Sequence, residues 1–241
     1  MKNILDWKFG GQILRGSKAQ LPVVSELSNG QHVVNYSRRD YLGRSHGFQR
    51  TLTSLFPPLL GPEVELLSPG SLGDTDVAGV MPMQQINEFL YYIGWTLRTD
   101  VPYCNYLSVA RKTADGFSKL GPILAPDIID NGFSGTFFVV KFQRKYLGYY
   151  LSVVGWSKDE NGNLNPNYNI RIATSNDALN WRRLDKTAIE LEENEGGISA
   201  ITVIRRKGVL HAWFSVRGAE NFRTSTSGGY KIVHAFSYDG I

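Results

Sequence analysis

The chain has 241 residues, a length for one large β domain or two small ones. Hydrophobic content of 42% and charged content of 20% are those of an ordinary folded globule, and no apolar run approaches the ~20 residues of a membrane span. The balance of 26 basic and 22 acidic residues leaves a net charge of only +4 without an extended Lys/Arg block, so a solvated surface is expected and a nucleic-acid stripe is not.

The opening MKNILDWKFGGQ carries Asp6 and Lys8 and no long apolar stretch, so it does not read as a signal peptide. Cys104 is the only cysteine, which rules out an internal disulfide and fits a buried, inert thiol. A cytoplasmic location follows as the expectation.

Taken in order, the first unit predicts a strand over Lys8–Leu14 and another over Leu21–Leu27. An Asn29-Gly30 hairpin turn leads into His32–Asp40 and then Ser45–Thr51. Phe56–Gly73, with Pro57, Pro58, Pro62 and Pro69, reads as an irregular connection. A second unit takes Val80–Ile86, a turn at Asn87-Glu88, Phe89–Trp95 and Tyr106–Lys112, with Gly121–Asp130 as the next connector. A third takes Thr136–Phe142, Gly148–Trp156, Tyr168–Ser175 and a last strand from Trp181 to Leu184, with a long polar loop over Ser157–Asn169. A fourth takes Ile198–Arg205, a turn at Lys207-Gly208, Val209–Arg217 and Tyr230–Ser237. Helical periodicity is weak throughout.

These units repeat. YYIGW (Tyr91–Trp95), YYLSVVGW (Tyr149–Trp156) and HAWFSVRG (His211–Gly218) each precede an alternating strand that runs into an Asp turn, and the turn residues Asp115, Asp177 and Asp239 lie 62 residues apart in both intervals. A fixed period filled with short strands predicts an all-β fold, a β-propeller, with about four blades in this chain. The predicted blades are 1–60, 74–120, 131–185 and 195–241, in one domain. A propeller places its ligand site on the central axis, at the ends of the innermost strands, here near Gln20, Val80, Thr136 and Ser199.

The segments AQLPVV (Ala19–Val24), YSRRDYLGRS (Tyr36–Ser45), GVMPM (Gly79–Met83), YYIGWT (Tyr91–Thr96), GPIL (Gly121–Leu124) and NYNIRIATSNDALNW (Asn167–Trp181) resemble the five-bladed propellers related to glycoside hydrolase family 43, of the arabinanase and β-xylosidase type, and in particular an uncharacterised branch found in surface-polysaccharide gene sets. The resemblance covers essentially the whole chain. It implies a carbohydrate-active protein acting on a glycan or sugar conjugate, with acids from different blades converging on the axis. Family members carry about one more blade, so the chain is expected to be C-terminally incomplete. It departs from the branch at Gly135-Thr136 and Ser199-Ala200, where a Ser-Pro or Arg-Pro is common, and its third inner strand brings no carboxylate.

Glycoside hydrolysis needs two carboxyl groups flanking the scissile bond. Three acids are the catalytic candidates. Asp76 lies in a Gly-flanked loop before the second unit, Glu195 precedes the fourth inner strand, and Asp40 follows Arg38-Arg39. Each also suits a turn acid that bonds backbone N–H groups. Arg39 and Arg217 occupy matching places after second strands and suit an anionic sugar, a sugar phosphate or a nucleotide sugar. Trp95 and Trp156 take the equivalent places in the other units and offer indole faces for sugar stacking. Gln20 heads the first inner strand. These five are the substrate-binding candidates.

No histidine, cysteine or carboxylate spacing fits a metal, and no phosphate loop or dinucleotide fingerprint occurs, so neither metal nor cofactor is expected. The expected partner is a carbohydrate or sugar-phosphate ligand, with neither nucleic acid nor membrane. Two unpaired blade faces would favour a homo-oligomer. Three functions stay open on the sequence: a glycoside hydrolase, a non-catalytic sugar-binding protein of polysaccharide synthesis, and a nucleotide-sugar-dependent transferase.

Overall fold

The computed structural model describes residues 13–14, 18–55, 57–97, 104–126, 134–159, 161–220, 222–223 and 228–241. Within them the chain forms fifteen strands and no helix. They run as four consecutive antiparallel meanders. The first holds β1 (Gln20–Glu26), β2 (His32–Arg39), β3 (Ser45–Leu55) and β4 (Pro58–Leu67). The second holds β5 (Gly79–Ile86), β6 (Phe89–Thr96), β7 (Cys104–Thr113) and β8 (Gly116–Leu124). The third holds β9 (Ser134–Phe142), β10 (Lys145–Lys158), β11 (Leu164–Ser175) and β12 (Arg182–Ile189). The fourth holds β13 (Glu195–Arg206), β14 (Val209–Gly218) and β15 (Lys231–Ser237).

The first strands of the meanders stand side by side, β1 next to β5, β5 next to β9 and β9 next to β13, and this radial arrangement is a β-propeller. Its core lies between blades. One cluster (Leu67, Val80, Leu90, Tyr92) fills the space between the first two meanders. A second (Met81, Tyr91, Leu107, Phe137, Tyr150) fills the next space, and a third (Leu147, Tyr149, Ile170, Ile198, Val203, Phe214) the last. Middle strands are therefore covered on both faces, which is why Phe89–Ile93 reads as a continuous apolar run rather than an alternation.

Two parallel bridges tie neighbouring blades, Ser45 with Gly79 and Tyr168 with Gly197. Both use glycine for the same steric reason. A Cβ at Gly79 would sit 2.5 Å from the Ser45 nitrogen, and one at Gly197 would sit 2.5 Å from the Tyr168 ring. Among the described residues the second and third meanders share no such bridge. Gln84 laces them instead, its Oε1 accepting the Val139 N–H at 2.7 Å.

Three stretches differ from the sequence expectation. Pro58–Leu67, expected to be irregular, is the outer strand β4, where prolines are tolerated because the missing donor faces away from the sheet. Phe56 lies outside the described residues. Within Gly121–Asp130, β8 continues to Leu124, and 127–130 lie outside the described residues. The expected long loop after Ser157 is mostly strand. β10 reaches Lys158 and β11 starts at Leu164, closed by Asp159 accepting the N–H groups of Asn161 and Asn163. Of the expected opening strand Lys8–Leu14 only residues 13–14 are described, and they form a bend. The outer part of the fourth meander shows Trp213, Ile232 and Phe236 to solvent.

Candidate functional site

All four innermost strands break register at a comparable point. β1 bulges at Leu21-Pro22, β5 at Met83-Gln84, β9 at Thr136 and β13 at Ala200-Ile201. An extra residue in a strand re-aims its side chain and bends the chain locally, and such bulges gather at sites. Here Leu21, Pro22, Met83, Thr136, Ala200 and Ile201 all line one axial cavity of about 600 Å³. Two of the bulged residues hold left-handed backbone without being glycine, Leu21 at φ 48° and Ala200 at φ 52°. Backbone of this kind is strained for a side chain with a Cβ, and it persists only where the surroundings impose it.

The cavity wall is mostly apolar. Among the described residues Glu26 is the one carboxylate that lines it, with His32 beside it at the end of the cavity away from the bulges. Two polar atoms near the bulges are buried without a hydrogen-bond partner, Thr136 Oγ1 behind the cavity wall and Gln20 Oε1 at the head of β1.

Two of the candidate acids bond groups of their own turn or loop, and the third pairs with an outer strand. Asp40 sits in the β2–β3 turn and accepts the backbone N–H groups of Leu42 and Arg44, both at 2.9 Å. Arg44 Nε at 3.0 Å and His46 Nε2 at 3.4 Å complete its shell. Desolvation works in the opposite direction, and the bonds from Arg44 and His46 overcome it to hold Asp40 below the usual carboxylate range. Asp76 lies buried in the connection from β4 to β5, ion-paired at 2.7 Å with Lys119 of β8. Burial, with Asp76 next in effect, pushes the Tyr92 phenol up. Glu195 opens β13 opposite Gly218, and its Oε2 accepts the Glu192 N–H at 2.9 Å.

Arg39, Trp95, Trp156 and Arg217 do occupy equivalent places, at or near the end of the second strand of each meander. Their environments differ. Arg39 is exposed. Trp95 and Trp156 are half-buried and pack against the inter-blade core. Arg217 is wholly buried, with Nη2 donating to the Pro166 carbonyl at 2.6 Å and Nε to the Tyr168 hydroxyl at 3.2 Å. Its guanidinium lies 4.0 Å from the Phe222 ring centroid. No carboxylate among the described residues pairs with it. A polar cavity of about 290 Å³ opens beside Phe222 and is lined by Lys158, Asp159, Asn165 and Glu220. Side-chain and backbone bonds from Asn163 hold Asp159 below the usual carboxylate range there.

The structure thus brings the bulged residues together and leaves the three acids apart from them. The bulges were signalled by Pro22 and Pro82, since a proline within a strand run marks a bulge or an edge. Thr136 and Ala200 carry no such mark. Among the described residues no group of three or more His, Cys, Asp or Glu side chains has an arrangement that would hold a metal ion.

No family model matches the chain. Two uncharacterized proteins of Mycobacterium tuberculosis, from strains CDC 1551 / Oshkosh and ATCC 25618 / H37Rv, are each 28% identical over 247 residues, covering 98% of this chain and 76% of theirs. Among solved structures, one described as a glycoside hydrolase superposes with a TM-score of 0.67 at 15% identity, covering 98% of this chain and 76% of that one. Sucrose-6-phosphate hydrolase of Lactobacillus gasseri gives 0.64 at 15% identity, covering 90% and 45%. The GH32 β-fructofuranosidase of Bombyx mori gives 0.62 at 17% identity, covering 91% and 46%. The chain therefore shares its all-β propeller fold with these structures.

Proposed function

We propose that this protein is a carbohydrate-active propeller, glycoside hydrolase-like, that takes a glycan or sugar conjugate at the axial cavity. The observation that carries the reading is the ring of four bulges, which aims residues of four separate strands into one cavity under backbone strain. Kinship with family 43 and a five-bladed plan are the finer form of the same proposal, as is a cytoplasmic location.

A second reading, binding without hydrolysis, is favoured by one specific observation. Asp40, Asp76 and Glu195 are each held by neighbouring loop or outer-strand groups. Glycoside hydrolysis requires two carboxyl groups about 5–10 Å apart across the bond to be cleaved.

Calorimetric titration of the full chain against neutral sugars, uronic acids and sugar phosphates tests both readings, paired with a hydrolysis assay on the ligand that binds. Saturable binding that weakens in Thr202→Phe, which places a ring in the cavity, supports the axial site. Binding indifferent to Thr202→Phe moves the site off the axis, and no binding to any sugar removes the carbohydrate reading. Turnover lost in Glu195→Gln, with folding intact, would restore the hydrolase reading over the binding one.

A further inference from the structure

We infer that the axial cavity takes an apolar group, so that the ligand is a sugar conjugate whose aglycone is an alkyl chain or an aromatic ring. The inference rests on the axial reading above and specifies the chemistry of that site. Beyond the bulges, the wall is made by Val23, Val24, Phe138 and Ile204, and the bulges themselves add Leu21, Met83 and Ile201. A bare sugar ring carries a hydroxyl on nearly every carbon, and each one placed against such a wall loses its water without gaining a partner. An alkyl or aryl group loses nothing there, and the volume of about 600 Å³ is that of a small-molecule site.

The polar atoms mark the orientation. Thr136 stands on the wall at the level of the bulges, but its hydroxyl oxygen is buried away from the open cavity. The ionisable side chains that line the cavity, Glu26 and His32, stand at the end away from the bulges, so the saccharide lies toward them and the apolar group runs toward the bulged residues. Glu26 lies five residues along β1 from Leu21, and His32 is its partner on β2.

The test is calorimetric titration of the full chain with n-alkyl glucosides from methyl to octyl, below their micelle-forming concentrations, alongside straight-chain alcohols of the same lengths. Burial of each added methylene is expected to tighten binding about fourfold in both series. Thr202→Phe and Val24→Phe place a ring in the cavity from partly exposed positions, so both variants fold, and either should abolish the dependence on chain length. Affinity independent of chain length, or chain-length dependence unchanged in both variants, overturns the inference. Alcohols that bind with the same slope while the sugar adds nothing support an apolar cavity and count against the carbohydrate reading instead. Methyl glucoside binding as tightly as octyl glucoside does the reverse.

Discussion

Tyr149 donates its hydroxyl to the carbonyl oxygen of Gly240, 2.8 Å away and 91 residues along the chain. Tyr91 makes the same bond one blade earlier, to Ala178 at 2.6 Å. Both carbonyls belong to the residue after a turn aspartate, Asp239 or Asp177, and both residues hold left-handed backbone, at φ 82° and 62°. A tyrosine of one blade thus pins the Ser-x-Asp turn of the next. In each turn the serine hydroxyl bonds the aspartate at 2.9 Å.

These phenols are buried, so removing one hydroxyl takes the Tyr149 bond from the Gly240 carbonyl or leaves the Ala178 carbonyl with only the longer bond from Trp181 Nε1 at 3.3 Å. Tyr91→Phe and Tyr149→Phe should each lower stability by about 1–3 kcal/mol in urea unfolding. Because the two sites lie in different inter-blade spaces, the double variant should lose close to the sum.

Asp177 gives a pH signature. Its carboxylate accepts the N–H groups of Asn180 and Leu179 at 2.8 and 3.0 Å and the Asn180 side-chain amide at 2.7 Å. The bonds from Asn180 first, then Leu179 and Ser175, hold it well below the usual carboxylate range. A depressed folded pKa contributes stability above the unfolded value of about 3.9 and loses it as pH falls toward the folded value. Asp177→Ala should therefore melt below the natural protein at pH 7, with the gap closing steadily below about pH 4. A gap of constant size down to pH 2 would mean that the carboxylate charge contributes nothing.

Asp76 separates a structural from a catalytic role. Its buried carboxylate meets Lys119 of the outer strand and lies under Gly94, where an added Cβ would come within 2.9 Å of the Asp76 Cβ. Lys119→Ala should destabilise by about 3 kcal/mol, because a buried carboxylate is left unpaired. The double variant Asp76→Asn/Lys119→Ala should recover part of that loss. If Lys119→Ala leaves stability untouched, the clip between the first two blades is not what Asp76 provides.

The two arginines that match in sequence should behave oppositely. Arg39→Ala, on the exposed end of β2, should stay within about 0.5 kcal/mol of the natural protein. Arg217→Met strands the Pro166 carbonyl and leaves the Tyr168 hydroxyl with Tyr230, and should lower stability by about 1–3 kcal/mol in the same urea assay.

The repeat was legible because it is local. The period from Asp115 through Asp177 to Asp239, the Lys207-Gly208 turn with both residues at positive φ, and the aromatic second strands each depend on residues close in sequence. The outer strand β4 escaped because its prolines argue against a strand unless it is known to lie on an edge, and an edge exists only in the assembled sheet. The acids are ambiguous in sequence for a related reason. A glycine-flanked aspartate before a strand looks alike whether it faces an axis or a lysine, and Lys119 lies 43 residues from Asp76.

The sequence by itself determined an all-β chain of repeating meanders whose second strands end on Arg39, Trp95, Trp156 and Arg217, since strand periodicity and turn chemistry are written within a few residues. Only the tertiary structure decided that Leu21, Met83, Thr136 and Ala200 meet on one axis, and that Asp40, Asp76 and Glu195 do not line that cavity. A bulge is a mismatch between two strands, so its place depends on the register of both. Which side chains share a cavity depends on how four separately paired meanders pack around a common line.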